Sequence, residues 1–406
     1  MTAPVNPRIK ATAAPPVMEA RRWIARTRLA PDRPLLNFSQ AAPVDPPPEP
    51  LRHAMAEIVI RDPNAHLYGP VLGLPELRAQ VAAEWSRAYG APVREDQVAI
   101  TSGCNQAFTA AVATLARAGD AVILPVPWYF NHKMWLDMEG IETRVLQTGD
   151  DLLPDPERAR ALIDDRVKAI VLVTPNNPGG VEYPGELVQA FYALAKAHDL
   201  ALLIDETYRD FDGRAQRPHD LFADPDWDRT LIQTYSFSKA YRLTGHRVGA
   251  LLTHPARLAE AEKFLDSSTI CPNQLGQRAA LWGMRHLGDW LAGERLEILE
   301  RRAAIEKGLP ELAGWTLLGC GAYFAYVEHP FALPSDQVAQ ALLHQAGALL
   351  LPGTMFAPTL AEGGTGAAER QMRIAFANAD RTGIGVLFDR LRQVDPATLA
   401  PARPTS

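Results

Sequence analysis

The chain has 406 residues, 47% hydrophobic and 22% charged, with a formal net charge of −6 at pH 7. A single hydrophobic core stops growing near about 250–300 residues, so two bodies are expected in an ordinary soluble globular protein. The acidic balance argues against a nucleic-acid or anionic-membrane partner, and no stretch reaches the roughly 18–20 apolar residues of a membrane span. Three scattered cysteines (Cys104, Cys271, Cys320) spell neither a disulfide framework nor a metal site. The Pro- and Ala-rich start lacks the apolar centre of a signal peptide, so the expected compartment is the cytoplasm.

In chain order, residues 1–16 read as a mobile N-terminus and residues 396–406 as a mobile tail. Residues 17–29 have the spacing of a short amphipathic helix, with Met18, Trp23 and Ile24 as its apolar contributors. Residues 35–43 and the prolines at 46–48 must be extended, because stacked prolines exclude helix and sheet interior. Helix is expected again over 51–60. The pattern then alternates: helix 76–89, strand 97–101, helix 105–116, strand 121–124, helix 131–139, strands 143–146 and 168–173, helix 184–198, strands 201–204 and 230–234. The unbroken apolar runs at 169–173 and 200–204 are those of strands buried on both faces, which favours a largely parallel sheet covered by helices. Helices 255–265 and 273–286 close this part.

A charged helix over 291–309 leads to strands 315–318 and 322–327, helix 335–345, strands 348–351 and 371–376, and helix 381–394, an α+β pattern. The expected fold class is therefore α/β: a large domain with a mostly parallel sheet flanked by helices, plus a smaller α+β domain. The large domain is expected over 55–290, and the small domain is built from 17–54 and 291–395.

The chemistry centres on Ser236, Ser238 and Lys239, which follow an apolar run, with Arg247 eight residues beyond the lysine. Hydroxyls, lysine and arginine so close together suit a phosphate while leaving an amine free. A lysine in a partly dry pocket beside other cations has a lowered pKa, so its amine can attack an aldehyde. Ser102, Gly103 and Cys104 sit between a strand and a helix start, where backbone N–H groups and the helix dipole seat anions. The run Pro125-Val126-Pro127-Trp128-Tyr129-Phe130 offers aromatic faces past a strand end, where α/β folds place ligands. Asn177 lies in a specific Asn-Asn-Pro-Gly-Gly turn after a buried strand. Asp205 ends a continuous apolar strand, where an ionised carboxylate must be paired or neutralise itself. Tyr208 follows three residues on. Apolar alternation around Arg373 points that arginine into a cleft.

From about 35 to 376 these motifs, in this order, resemble the class I/II pyridoxal-phosphate-dependent aminotransferases of fold type I. The resemblance implies pyridoxal 5'-phosphate as cofactor and no metal. It implies that Lys239 carries the cofactor covalently and moves the substrate proton, that Asp205 holds the ring nitrogen, and that Tyr208 and Asn177 reach the ring oxygen. Ser102, Gly103, Cys104, Ser236, Ser238 and Arg247 are then the phosphate seat. Trp128 best matches the stacking aromatic, with Tyr129 as the alternative. Arg373 is expected to clamp the substrate α-carboxylate, with Asn177 beside it. Ala41 lies in the Ser39-Gln40-Ala41-Ala42 stretch that replaces a glycine-bearing substrate loop. The match of His66-Leu67-Tyr68-Gly69 implies that Tyr68 reaches the phosphate of a second subunit, hence a homodimer with shared active sites.

The activity implied is exchange of an amino group between an L-amino acid and a 2-oxo acid by a ping-pong sequence. A lyase, cyclase or oxidase on the same scaffold is the alternative. A ligand-sensing regulator is more remote, since the short N-terminus leaves no room for a helix-turn-helix. Gly179 replaces the family's threonine, and His246 stands before the phosphate arginine, where an apolar or aromatic residue is usual. In a gap-free register Asp266 falls where aspartate-specific relatives carry the distal-carboxylate arginine, which disfavours aspartate. A broad or aromatic donor is the default.

Overall fold

The computed structural model describes residues 3–394 and residue 399. Its strands are β1 (Leu36–Asn37), β2 (Val98–Thr101), β3 (Ala121–Val126), β4 (Glu142–Gln147), β5 (Val167–Val173), β6 (Ala201–Asp205), β7 (Leu231–Ser236), β8 (Gly249–Leu252), β9 (Thr316–Gly321), β10 (Phe324–Glu328), β11 (Ala348–Leu349), β12 (Leu351–Pro352) and β13 (Gln371–Ala375). Seven of them form one sheet in the order β2-β8-β7-β6-β5-β3-β4. All neighbours in it are parallel except β8, which runs antiparallel to both β2 and β7.

Period-2 alternation within the apolar runs divides the strand residues between two cores. Ile170, Leu172, Leu202 and Ile204 face the helices Pro75–Tyr89 and Gly185–Ala197, packing with Val81, Trp85 and Phe191. Ala169, Val171 and Leu203 face the opposite way, against Phe108 and Ala111 of helix Cys104–Ala113 and Leu258 of helix Pro255–Thr269. With both faces covered, the C-terminal ends of β2, β3, β5, β6 and β7 and the start of β8 share one open edge, where the chain leaves the sheet.

The second body is an antiparallel sheet, β12-β13-β10-β9, covered by helices Ser335–Ala346 and Arg381–Arg392 and joined to the first by the long helix Gly288–Gly308. The proline-rich segment is free of helix up to Pro48, as expected, but bends at Ser39, Ala42, Asp45 and Pro47. Its only strand, β1, pairs in parallel with β11.

Several sequence expectations need adjustment. Residues 1–16, expected to be mobile, include a one-turn helix Pro7–Ala11, and Arg8 Nη1 donates to the Glu139 carbonyl at 3.0 Å. Of the tail, only Leu399 lies within the described residues, and it is buried. In helix Pro16–Arg26 the buried positions are Pro16, Ala20 and Trp23, whereas Met18 is exposed. The boundary placed at 55 cuts through helix Glu49–Arg61, whose Leu51 and Met55 both join the core of the seven-stranded sheet. The single strand expected over 348–351 is two short ones in different sheets, because the chain crosses between them at Leu350.

Candidate active site

A cavity of about 280 Å³ opens at the sheet edge, walled by residues that leave β5, β6 and β7 together with Gln40 and Ala42 from the N-terminal segment. Lys239 enters it from a one-turn helix, Phe237–Ala240, which directly follows β7. Buried Phe237 and Ala240 anchor that turn, and the Ser236 hydroxyl caps it by accepting from Ser238 N at 3.2 Å. The Lys239 amine donates to the Ala41 carbonyl at 2.7 Å and stands 5.7 Å from the Tyr208 ring. Burial, followed by the charges of Arg247 and Arg373, pulls its pKa from 10.5 down to about 8.

Arg247 adopts a left-handed backbone, φ +52, and its guanidinium donates to Thr244 O at 3.0 Å and approaches the Ser238 hydroxyl at 3.4 Å. It lies against Gly103, whose φ of +89 favours glycine and where a Cβ would force the guanidinium to shift. Gly249 at the start of β8 likewise lets the backbone of Gly103 and Cys104 approach closely. The result is a concave seat made from Arg247, the Ser236 and Ser238 hydroxyls and the first N–H groups of helix Cys104–Ala113. Ser102 is outside the cavity wall, and its N–H is taken by Gln106 Oε1 at 2.6 Å.

Asp205 closes β6 with its side chain buried. Its Oδ1 accepts from Thr207 N at 2.9 Å and from Cys104 Sγ at 3.5 Å, and its Oδ2 lies 3.4 Å from His132 Nε2. Burial alone would raise the carboxyl; the His132 imidazole and the Thr207 hydrogen bonds outweigh it and hold the pKa below the ordinary value. The Cys104 side chain thus points at Asp205 rather than into the anion seat, and burial beside that carboxylate pushes its thiol well up. His132 is missing from the sequence reading. It stacks on Phe108 at 3.8 Å and meets Tyr129 edge-on at 5.0 Å. The available signal was a histidine one helical turn after Tyr129 in a helix that follows a buried strand.

Tyr129, not Trp128, lines the cavity, and its hydroxyl donates to Asn105 Oδ1 at 3.3 Å. Trp128 packs into the core with Phe108 and Leu136. The physical reason is the tight connection from β3 to helix Phe130–Glu139, which turns successive side chains to opposite sides. Tyr208 is in the wall and buried, and burial drives its phenol far above the ordinary value.

Arg373 on β13 reaches the cavity through Asn177. Its Nη1 donates to Asn177 Oδ1 at 2.8 Å and its Nη2 to Ser39 O at 2.5 Å, between the rings of Phe324 and Phe356. It is 2% exposed and has no carboxylate partner among the described residues. Burial lowers it to about 10, so it is charged at neutral pH and short of an anion. The neighbouring turn explains the Gly179 departure: Gly179 N donates to Asn176 Oδ1 at 2.7 Å, and a Cβ there would press on that oxygen and on Leu152.

Ala41 contributes its carbonyl to Lys239, whereas the residues of this segment that line the wall are Gln40 and Ala42. Tyr68 is 80% exposed and outside this cavity. His246 is partly buried and outside the wall, with its pKa lowered by burial, and Asp266 is exposed on helix Pro255–Thr269. Among the described residues there is no group of three or more His, Cys, Asp or Glu side chains that would hold a metal, and no helix long and apolar enough to cross a membrane.

A partly dry lysine, a buried paired aspartate, an anion seat and a buried arginine without a carboxylate partner meet at the open edge of this doubly covered sheet, an arrangement suited to an enzyme's active site. The profile of the family "Aminotransferase class I and II" matches residues 33–391, and the chain belongs to that family. It is an aminotransferase. The chain is 30% identical over 391 residues to a valine–pyruvate aminotransferase of Mycobacterium tuberculosis, covering 94% of this chain and 95% of that one. It is 28% identical over 358 residues to aromatic aminotransferase ISS1 of Arabidopsis thaliana, covering 86% of each. The fold is that of aspartate aminotransferase from Thermus thermophilus with maleate, with a TM-score of 0.85 at 24% identity, covering 97% of this chain and all of that one.

Proposed function

We propose that the chain is a cytoplasmic homodimer that uses pyridoxal 5'-phosphate to move an amino group from an L-amino acid to a 2-oxo acid, in two half-reactions of a ping-pong sequence. The observation that carries this reading is that Lys239, its amine lowered to about 8, and Asp205, held by His132, line one cavity.

The residues present fit the cofactor. Arg247, Ser236, Ser238 and the helix N–H groups suit its phosphate, Asp205 its ring nitrogen, and Tyr129 its ring face. The Tyr208 hydroxyl and the Asn177 Nδ2 suit the ring oxygen, since Asn177 Oδ1 is already committed to Arg373. When bound, the cofactor supplies an aldehyde and an electron-withdrawing ring. The protein does the rest. Arg373 binds the substrate α-carboxylate through its two parallel N–H groups, exchanging the Ser39 carbonyl for a charged acceptor. Asn177 orients that arginine. Lys239 Nζ would take the proton from substrate Cα and deliver it to the carbon that the cofactor's aldehyde supplies, and its depressed pKa keeps it competent as a base near neutral pH. Asp205, kept ionised by His132, holds a proton on the ring nitrogen.

Self-pairing is supported by exposed Ile60, Leu67, Tyr68 and Ile270. The Gly69 N–H on Cys271 Sγ at 3.4 Å brings the Tyr68 loop beside Ile270. In a dimer formed there Tyr68 would serve the partner's anion seat.

The test is an absorbance spectrum of the purified protein with added pyridoxal phosphate, before and after single amino donors without an oxo acid. A visible band that one donor bleaches, with stoichiometric release of its 2-oxo acid, is expected. Ammonia release without bleaching would favour a lyase or oxidase. No band with Lys239 intact would remove the reading.

A further inference from the structure

We propose that a second cavity, on the reverse side of the strand and turn that carry Lys239, binds a small carboxylate with an apolar body through Arg209. Its occupant takes no part in the chemistry at Lys239.

The cavity has a volume of about 360 Å³. It is walled by helix Pro75–Tyr89, the loop after β6, β7 with the Lys239 turn, and the start of helix Gly288–Gly308. It shares no residue with the catalytic cavity, nor with the exposed Ile60, Leu67, Tyr68 and Ile270 from which self-pairing is read. Alternation along the chain lets two cavities back onto one segment. Tyr208, Ser236 and Ser238 line the catalytic cavity, whereas Arg209, Tyr235 and Phe237 line the second.

The Arg209 guanidinium stands 4.0 Å from the centre of the Trp85 ring, 5.1 Å from that of Tyr89 and 6.0 Å from that of Tyr235. Ring faces attract the cation but leave its N–H groups unfilled. The Arg209 side chain makes no hydrogen bond and no ion pair with any described residue, and its Nη1 is buried. The other charges of the wall are committed. Arg87 pairs with Glu84 at 2.5 Å, and Arg214 with Asp212 at 2.5 Å. Arg295 donates to the carbonyls of Asp212 at 2.8 Å and Arg214 at 3.1 Å, which leaves its Nη1 as a second donor. Asp210 is held by a phenol rather than by Arg209: its Oδ2 accepts from the Tyr235 hydroxyl at 2.6 Å, and burial raises its carboxyl above the ordinary value. Four arginines against three carboxylates leave one positive charge over. A buried guanidinium without a partner is costly, and a carboxylate matches its planar fork. Trp85, Tyr235, Phe237 and Tyr241 in the same wall give an apolar body its contact surface.

The probe is 3-phenylpropanoate, a carboxylate on an apolar body with no amino or oxo group to react. Calorimetric titration of the pyridoxal-phosphate-loaded enzyme is expected to find binding that survives Arg373→Leu, which removes the clamp expected in the catalytic cavity. Arg209→Leu is expected to weaken that binding by about tenfold or more. Ala292 lines the second cavity from an exposed helix position, so Ala292→Trp obstructs it and should have the same effect. That variant serves if Arg209→Leu fails to fold. With Arg373 in place, either substitution should reduce two sites per chain to one. The alcohol 3-phenylpropanol, which lacks the charge, should not bind there. No binding beyond the site that Arg373→Leu removes, binding that ignores both substitutions, or an alcohol held as tightly as the acid would each overturn the proposal.

Discussion

His132 Nε2 stands 3.4 Å from Asp205 Oδ2, and both side chains are buried, 2% and 5% exposed. They come from a helix and a strand 73 positions apart in the chain. The imidazole, with Thr207 on the other oxygen, holds the carboxyl below its ordinary value where burial alone would raise it. His132→Leu should therefore raise the Asp205 pKa and slow transamination to the extent that the carboxyl takes up a proton at the assay pH. Because the folded pKa lies below 3.8, the pair's stabilisation is present above that pH and lost as pH falls through the depressed value. The variant's acid-unfolding midpoint should move to higher pH, and a midpoint identical to wild type would count against the pair.

The lowered pKa of Lys239 sets a pH profile. Borohydride trapping of pyridoxal phosphate on the cofactor-free protein should rise with pH through about 8 and then level, well below the ordinary 10.5. Arg247→Met removes a neighbouring cation and should move that midpoint up. An unmoved midpoint would mean that burial alone sets it.

Arg373 is buried, short of an anion, and charged across the neutral range. Arg373→Leu should lower kcat/KM for amino acids by on the order of a hundredfold or more while sparing primary amines that lack a carboxylate. Arg373→Lys, which loses the planar fork, should fall between. An equal loss for amines and amino acids would show that the arginine only supports the fold.

The two adjacent aromatics should separate cleanly. Trp128→Leu should cost about 2–4 kcal/mol of stability with little change in cofactor affinity, since the indole packs in the core. Tyr129→Leu should weaken cofactor binding by about tenfold and leave the melting temperature nearly unchanged. Thermal unfolding and a cofactor titration on both variants read this directly, and the reverse pattern would restore Trp128 as the stacking ring.

Much of this protein was legible before folding. The unbroken apolar runs of β5 and β6 required a sheet covered on both faces, and the polar residues at their ends had to emerge at its edge. Asp205, Asn177, Ser236, Ser238 and Lys239 were visible for that reason: each ends or closely follows a buried strand, while Arg247 stands just before β8, and local spacing carries the information. The resemblance added the role each is expected to play.

Tertiary structure decided what depends on direction and on distant partners. Whether Trp128 or Tyr129 faces the cavity turns on how one tight connection leaves β3, and composition cannot set that. His132 meets Asp205 only because a helix crosses the sheet edge at one height. Ala41 offers a carbonyl to Lys239 while Gln40 and Ala42 line the cavity, and Arg373, Asn378 and Lys239, from distant parts of the chain, hold the carbonyls of Ser39, Gln40 and Ala41 in turn. The sequence by itself determined the strands, the covers and the chemistry at the strand ends, because periodicity and burial are local. The orientation of side chains between elements is a long-range property, and the packed fold alone determines it.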